Sequence, residues 1–326
     1  MKAKGRKHSI MRRMWIPLSF AMILQSVLFG GSILWGGTID RLEQNSFEIL
    51  NERVTNRKNY LENEMVQRWS DLAAAETLIN QKVSNMLEQN QAAYSALTAE
   101  EEWTSELLEL ISLDLLHLMR RNSVTGAFVV FNGETGFSAP QSGQAAAYSG
   151  VHFRDTDPVS TPSDYSDIMM ERGISRISKA LGIPLDIFWT PQFCLDNSDK
   201  TYYEPFLAAL KYPSVDSSDL GYWSLPFAID ENDIKIITYS QPLLTPGGEP
   251  HGVLGIELTV DYLRKQMPFE ELNAENSACY ALAVDMDSAD GRADYQLVMS
   301  SEPAYTRLFG SAQELSFESE AVFENT

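Results

Sequence analysis

The chain has 326 residues, with 45 acidic and 25 basic side chains and a formal net charge of −20 at pH 7. Such an excess of acid disfavours binding to nucleic acid or to anionic lipid, because phosphate groups repel it. With 44% hydrophobic and 10% aromatic residues, the composition is that of a folded protein with one large or two ordinary domains.

An uncharged stretch over residues 15–37 follows a basic start. A helix of that length spans the hydrocarbon core of a bilayer, which is about 30 Å thick. Residues 1–14 carry basic side chains and no acidic one, which predicts a cytoplasmic tail and an extracellular location for the rest of the chain. A cleavable signal peptide also begins with basic residues, but its apolar run is shorter and ends at a small-residue cleavage site. We therefore predict a retained transmembrane helix in the plasma membrane.

Helical patterns continue after this segment. Residues 38 to about 92 contain neither proline nor glycine, and apolar side chains recur there at helical spacing, which predicts one long helix. A second helix is expected from Thr98, where Thr98 and Glu101 fit a capping box, to Asn122. Residues 38–121 are thus a long juxtamembrane helix with a helical connection. The apolar stripe on such a rod needs a partner helix or a domain packed along it, and we expect a homodimer.

The middle of the chain is rich in loops and aromatic side chains. A buried strand is predicted over residues 126–133, and loops with short strands and a partial helix extend to about residue 235. Aromatic loops of this kind form the walls of ligand pockets. The alternative is that the same residues are only core and cover for the loops, and for any single residue we favour that alternative. These residues are Trp189, Phe193, Tyr202, Tyr203, Phe206, Tyr212, Tyr222, Trp223 and Phe227.

Regular strands return near residue 236. A Pro-Gly-Gly turn separates two β-rich runs and predicts a hairpin that ends near residue 260. Asp261 is expected to start a short helix. Two further strands are predicted over residues 278–285 and 295–301, followed by one last strand within residues 314–323.

No catalytic or metal-binding motif is present in the sequence. The four histidines lie far apart, and none has a second histidine at ligand spacing. The run from Asp285 to Gly291 superficially resembles a calcium loop, but it lacks the fifth ligand and the bidentate glutamate, which favours a hairpin turn. Cys194 and Cys279 match no metal or redox spacing, and we favour two separate, partly buried thiols over a disulfide. We therefore predict no metal, no cofactor and no enzymatic activity.

Residues 236–263 carry a family resemblance. Ile237-Thr238 through Pro242, then Gly247-Gly248, then residues 252–256 (Gly-Val-Leu-Gly-Ile) form a strand, a turn and a strand. Together with the preceding membrane segment, long helix and aromatic loops, this pattern resembles the double Cache sensor module of bacterial chemoreceptors, histidine kinases and diguanylate cyclases.

The resemblance implies an α+β fold in which two PAS-like antiparallel modules stand on the long helix. Residues 122–272 would form the membrane-distal module and residues 273–326 the start of the membrane-proximal one. The implied function is extracytoplasmic sensing of an unknown small molecule, transmitted to a cytoplasmic output domain that this chain lacks, so the chain is expected to be a fragment or a truncated product. A structural or adhesive ectodomain and a tethered extracellular enzyme are the alternatives.

Some members of this family bind amino acids through an R-x-W-[YF] element and a later [YF]-x-D element. The corresponding positions here are Lys200 to Tyr203 and Phe227 to Ile229. Lysine replaces the arginine and isoleucine replaces the aspartate, so the resemblance does not identify the ligand.

Five residues are the predicted ligand contacts. Arg154 is the expected partner for an anion, although its neighbour Asp155 fits a structural ion pair equally well. Lys200 is the expected second charge, and it lacks the planar fork of an arginine. The expected aromatic walls are Trp189, Tyr203 and Trp223.

Overall fold

The computed structural model describes residues 10–35, 38–98, 102–132, 146–196, 198–230, 232–272, 278–286, 293–301 and 304–317. The chain divides into two units, Met1–Arg57 and Lys58–Thr326. In the first unit, helix α1 (Ile10–Trp35) covers most of the predicted membrane segment, and residues 36 and 37 lie outside the described residues. Among the helices that the structure describes, none has both the length and the apolar character required to cross a bilayer. The span over residues 15–37 therefore stays a prediction.

The predicted long helix is divided. Helix α2 (Thr38–Asn63) runs into a π-helical turn (Glu64–Trp69), and α3 (Ala73–Asn90) starts after a break. At the break, Asn122 Nδ2 and Arg121 Nη2 both donate hydrogen bonds to the carbonyl oxygen of Asp71, at 3.0 Å and 2.7 Å. A single continuous helix over residues 38–92 was thus the wrong prediction, because side chains at the end of the next helix satisfy the carbonyl that the break exposes.

The next helix, α4 (Glu102–Asn122), follows a 3₁₀ turn at Tyr94–Thr98. Its apolar face packs against α3, in agreement with the helical spacing of its apolar residues in the sequence. Thr98 lies in the 3₁₀ turn, and Glu101, its predicted capping partner, lies outside the described residues. The buried side chains of the two helices include Ile79, Val83, Leu107, Ile111 and Leu115.

The main sheet has seven strands in the order β5-β4-β3-β1-β9-β8-β7. Neighbouring strands are antiparallel except for β4 and β5, which are parallel. This mixed α+β architecture with antiparallel sheets agrees with the predicted fold class and is consistent with a PAS-like module. The strands are β1 (Gly126–Phe131), β3 (Gly150–Asp155), β4 (Ile168–Arg172), β5 (Leu185–Thr190), β7 (Tyr222–Trp223), β8 (Ile236–Leu244) and β9 (Pro250–Thr259).

The predicted hairpin is confirmed as β8 and β9. Pro242 stands opposite Val253, and the turn is closed by a hydrogen bond from the Thr245 N–H to the Glu249 carbonyl. Gly248 has φ of +84°, a conformation that glycine adopts without steric cost. The predicted short helix is α7 (Val260–Lys265), capped by the Thr259 hydroxyl, which accepts a hydrogen bond from the Tyr262 N–H.

Smaller elements flank the main sheet. Strands β2 (Ala146–Tyr148) and β6 (Phe193–Leu195) pair with each other, and α5 (Ser175–Leu181) and α6 (Lys200–Lys211) lie between the strands along the chain. A second, three-stranded sheet consists of β10 (Ala281–Asp285), β11 (Ala293–Ser300) and β12 (Glu314–Phe317), with α8 (Ala304–Phe309) between the last two. Most of the rejected calcium loop lies outside the described residues.

An ion pair crosses the three central strands at a glycine. Gly126 on β1 stands opposite Arg154 on β3 and opposite Glu257 on β9. Arg154 Nε reaches across it to Glu257 Oε1 at 2.8 Å, and both side chains are buried. A Cβ atom at Gly126 would lie 2.8 Å from the Phe153 carbonyl oxygen and 2.9 Å from Glu257 Cβ. The close approach of the two charged side chains therefore requires glycine at this position.

We expect Gly126→Ala to lower the free energy of unfolding by about 1–3 kcal/mol, the usual cost of overpacking a core. The measurement is urea denaturation of the whole chain. Gly247→Ala is the matched control, because a Cβ there meets only Thr245 Oγ1, at 3.6 Å. Equal denaturation midpoints for the two variants would contradict this account of Gly126.

Candidate functional site

A small cavity lies between β6, the start of α6 and the segment that follows β7. Its volume is about 90 Å³, and at roughly 30 Å³ per water molecule it accommodates a ligand of only a few heavy atoms. Both charged and apolar side chains line it. They are Arg172, Phe193, Cys194, Leu195, Asp199, Tyr202, Phe227, Ala228 and Ile229.

Helix α6 positions one wall of the cavity. The carbonyl oxygen of Asp199 accepts hydrogen bonds from the N–H groups of Tyr202 and Tyr203, which starts the helix beside the cavity. Thr201 then joins the helix to β8 through two contacts. Its Oγ1 lies 3.0 Å from Thr238 Oγ1, and its carbonyl oxygen accepts a hydrogen bond of 2.6 Å from the Ser240 hydroxyl. The first turn of α6 is therefore fixed to the main sheet.

Tyr202 is a largely buried residue that lines the cavity. Its ring packs edge-on against Phe128 and Phe193, with ring centroids 5.2 Å and 5.6 Å away, and the residue is 9% exposed. No hydrogen bond joins its hydroxyl to another residue in the described part of the chain. Burial raises the pKa of Tyr202, so the hydroxyl stays protonated and is available to a ligand as both donor and acceptor.

Two opposite charges face the same cavity. Arg172 Nη1 donates to the carbonyl oxygens of Glu171 and Phe188 at 2.8 Å and 2.7 Å, and Nη2 donates to Asp230 at 3.1 Å. Across the cavity, Asp199 Oδ2 accepts a hydrogen bond of 2.6 Å from the Asp196 N–H. Burial raises the pKa of Asp199, and this hydrogen bond acts in the opposite direction. The arrangement suits a small ligand with an anionic group and a hydrogen-bond donor.

Next to the cavity, a network of buried charges surrounds Arg154. Besides Glu257, Arg154 contacts Glu171 at 2.8 Å and Asp233 at 2.9 Å. Burial alone lowers the pKa of Arg154, but Glu257 and the other carboxylates outweigh it and leave the pKa raised. Burial likewise raises the pKa of Glu257, and Arg154 and His152 reverse this shift and leave it lowered. Arg154 and Glu257 are therefore both charged in the folded protein.

Two members of the network are predominantly neutral near pH 7. Burial raises the pKa of Glu171 to about 8, although Arg154 acts against this shift. His152 Nε2 lies 2.9 Å from Glu257 Oε2, yet burial lowers the pKa of His152, so its imidazole is uncharged. The network thus limits the number of charges it buries by leaving one carboxyl group protonated.

None of the five predicted ligand contacts is among the described residues that line the cavity. Arg154 belongs to the buried network. The Trp189 indole N–H donates to the Gly173 carbonyl oxygen at 2.9 Å, and the Trp223 ring packs on Tyr239 with centroids 5.2 Å apart. Lys200 is exposed at the start of α6, and the buried Tyr203 hydroxyl donates to the Tyr148 hydroxyl at 3.3 Å. Their role as ligand contacts stays a prediction.

The structure identifies lining residues that the sequence did not. Arg172 and Asp199 carry the charges of the cavity, and neither was predicted. The motif alignment nevertheless pointed to this location, because its two stretches, residues 200–203 and 227–229, both contribute to the lining. Ile229, at the position of the family's aspartate, lines the cavity with an apolar side chain, and Asp199 supplies a carboxylate from the start of α6 instead.

The described residues contain no cluster of histidine, cysteine, aspartate or glutamate arranged to hold a metal ion. No disulfide joins Cys194 to Cys279. Cys194 is exposed and borders the cavity, while Cys279 is half-buried, so the thiols are separate as predicted, but the predicted partial burial is wrong for Cys194.

No protein-family model and no curated protein sequence matches the chain. Among solved structures, the sensory domain of the Campylobacter jejuni chemoreceptor Tlp3 with isoleucine bound is 12% identical, with a TM-score of 0.31 over 78% of this chain and 77% of that one. The extracellular domain of the putative histidine kinase soHK1S-Z6 is 12% identical, with a TM-score of 0.27 over 83% and 98%. The periplasmic sensory domain of the C. jejuni chemoreceptor Tlp1 is 11% identical, with a TM-score of 0.31 over 70% and 69%.

These three solved structures are sensory or extracellular domains of chemoreceptors and a histidine kinase. At identities of 11–12% and TM-scores of 0.27–0.31, this likeness does not assign a function to the chain.

We expect Glu171→Gln to change how stability depends on pH. The pKa of Glu171 is raised from 4.5 to about 8, so the folded state binds more protons than the unfolded state between these values. This group therefore lowers the stability of the wild type as pH rises from about 4.5 to 8. The glutamine variant lacks this loss, and chemical denaturation should find it more stable relative to wild type at pH 9 than at pH 5.

Glu88→Gln is the control, because Glu88 is exposed on α3 and away from the network. If the stability difference between Glu171→Gln and wild type is the same at both pH values, Glu171 does not take up a proton in this range.

Proposed function

We propose that the chain is the extracytoplasmic ligand-sensing region of a bacterial membrane signal-transduction receptor. A small polar molecule binds in the cavity beside α6, and the binding is transmitted through the helical segment 38–121 to a cytoplasmic output domain encoded outside this sequence. Residues 122–272 form the membrane-distal sensor module and residues 273–326 the beginning of the membrane-proximal one. The chain itself has no enzymatic role in this proposal.

The observation that carries the proposal is the lining of the cavity. An arginine, a carboxylate and a hydroxyl without a partner among the described residues converge on a volume of about 90 Å³, and aromatic and aliphatic side chains complete its walls. Polar side chains that converge on a cavity are a feature of ligand sites, and because this cavity is far smaller than the roughly 300–1,000 Å³ of pockets for drug-sized ligands, the ligand would have only a few heavy atoms. The comparison with sensory domains supports a small-molecule ligand in general terms only.

A continuous set of polar contacts leads from the cavity to α3. Thr201, in the first turn of α6, contacts Thr238 and Ser240 on β8. The next residue of that strand, Gln241, donates through Nε2 to Glu76 Oε2 on α3 at 2.8 Å. A displacement of α6 by a ligand would therefore reach the helical segment through β8.

Glu76 is well placed to respond to such a displacement. Its Oε2 accepts a second hydrogen bond, of 2.7 Å, from the Ser217 hydroxyl. Burial raises the pKa of Glu76, and the hydrogen bonds from Ser217 and Gln241 oppose the shift. A ligand can bias this contact only by its difference in affinity for the two arrangements of the module.

The membrane location and the assembly belong to the same proposal. The uncharged segment 15–37 would anchor the chain in the plasma membrane with its N-terminus in the cytoplasm. A homodimer would form through the long helical segment, whose described residues include exposed apolar side chains such as Val54, Val66 and Leu78. An anchored structural or adhesive ectodomain is the alternative function.

A thermal-shift screen of small metabolites against the whole chain, purified in mild detergent, tests the proposal. A ligand at 100 times its Kd should stabilise the folded state by about 2.7 kcal/mol, which is measurable as a rise in Tm. If a well-folded protein binds nothing across a broad library, sensing is contradicted and the structural ectodomain becomes the better interpretation.

We expect Asp199→Asn to weaken binding of a compound found in the screen by about ten- to hundredfold. This range corresponds to the loss of a hydrogen bond to a charged group, about 1.5–3 kcal/mol. Calorimetric titration measures the change. Asp164→Asn is the matched control, because Asp164 is an exposed aspartate in a similar turn away from the cavity. Equal affinities for the two variants would remove Asp199 from the site.

We expect Glu76→Ala to leave the affinity for the same compound within about twofold of wild type, because Glu76 does not line the cavity. It should instead abolish the change in hydrogen exchange that the ligand causes in α3. Glu88→Ala, on the exposed side of the same helix, should preserve that change. A response of α3 that survives in Glu76→Ala would show that transmission takes another route.

A further inference from the structure

A closed loop borders the cavity and is held by two arginines of the main sheet. Phe227 and Ile236 exchange two backbone hydrogen bonds, of 3.0 Å and 2.8 Å, which join the ends of the segment 228–235. The start of this segment, Ala228 and Ile229, lines the cavity. Two aspartates within the segment then pair with arginines, Asp230 with Arg172 and Asp233 with Arg154.

The two ion pairs differ in strength. Asp233 accepts two hydrogen bonds from Arg154 Nη1, at 2.9 Å and 3.0 Å, and its side chain is only 5% exposed. Asp230 accepts one hydrogen bond of 3.1 Å from Arg172, and its side chain is 44% exposed. A half-exposed ion pair with a single hydrogen bond contributes less to stability than a buried pair with two hydrogen bonds, which is costly to break. The contact of Asp230 is therefore the exchangeable one.

Arg172 is held in place without Asp230. The carbonyl oxygens of Glu171 and Phe188 fix its Nη1, and the described contacts use three of the five N–H donors of the guanidinium. The side chain lines the cavity, so an incoming anion meets an arginine that is already oriented. A carboxylate is the anion whose geometry best matches the planar donors of arginine.

We infer that Arg172 is the anion-binding residue of the cavity and that a carboxylate group of the ligand takes the place of Asp230 on its guanidinium. This inference rests on the proposed sensing function. After the exchange Arg172 still pairs with one carboxylate, now that of the ligand. The Asp230 side chain leaves its half-exposed contact and is hydrated by water. Binding of an anionic ligand thereby releases the segment 228–235 from one of its two side-chain ion pairs, while Asp233 keeps the other with Arg154 and the Lys235 carbonyl oxygen keeps its hydrogen bond from the Val260 N–H.

The test uses acetate as the probe and acetamide as its neutral counterpart. Asp230→Asn removes the competing carboxylate, and the variant should bind acetate about fivefold more tightly than wild type does. Acetamide affinity should be unchanged. Glu204→Gln is the matched control, because it removes one exposed negative charge from α6 without contacting Arg172. It should bind acetate as the wild type does.

Hydrogen exchange supplies the second measurement. In the wild type, acetate should accelerate amide exchange within the segment 228–235, and acetamide should not. In Asp230→Asn the exchange should already be fast without acetate. Both measurements are made on the whole chain, so they do not depend on a fragment that folds by itself.

Four results would overturn the exchange. The first is an Asp230→Asn protein that binds acetate no more tightly than wild type. The second is an equal gain in acetate affinity in Glu204→Gln. The third is an equal gain in acetamide affinity in Asp230→Asn. A screened metabolite that stabilises the wild type but binds Asp230→Asn with unchanged affinity would also overturn it, while leaving the sensing function supported.

Discussion

The buried ion pair between Arg154 and Glu257 is the constraint on which the arrangement of the main sheet depends. Removing two charges from water costs several kcal/mol per ion, and only close pairing with further hydrogen bonds offsets this. The pair forms because β3, β1 and β9 align Arg154, Gly126 and Glu257 in one row. A register slip of one residue would turn one charge to the opposite face of the sheet, so the pair selects a single register for the three central strands.

That register places the cavity. Because β3 is fixed, β4 pairs beside it with Arg172 opposite His152, and Arg172 is thereby brought to the edge of the cavity. On the other side, the position of β9 fixes β8, whose Thr238 and Ser240 hold the first turn of α6. The two charged walls of the cavity are thus positioned from opposite sides of the same buried pair.

The sequence predicted the parts of this fold that local rules control. The β8–β9 hairpin follows from a Pro-Gly-Gly turn between two β-rich runs, and α4 follows from its apolar periodicity. The break between α2 and α3 could not be predicted in this way. It is stabilised by Arg121 and Asn122, which lie 50 or more positions away in the chain. A contact of that kind has no local pattern.

The charges of the candidate site were beyond sequence analysis for a related reason. An arginine in a short strand, such as Arg154 or Arg172, has the same local appearance whether it binds a ligand or a carboxylate of the protein. What distinguishes the two is the number of carboxylates that the fold brings to each. Three surround Arg154, whereas Arg172 has one strong acidic partner, which is half-exposed. The resemblance aligned two stretches that contribute to the lining of the cavity, but it assigned the charge to Lys200. A motif compares positions along the chain, so it does not show that a residue elsewhere in the sequence supplies the charge instead.

The two arginines have different roles: one stabilises the fold, and the other allows a response to a ligand. Arg154 is saturated with partners, and a change there would cost the alignment of the central strands. Arg172 is fixed by backbone carbonyls, so its position does not depend on the one side chain that pairs with it. A site that must respond to a ligand without unfolding needs both properties, a rigid frame and a contact whose exchange is nearly neutral in free energy. Here the rigid pair and the exchangeable pair hold the same segment, 228–235. A small anion can therefore rearrange this segment locally while the main sheet keeps its register.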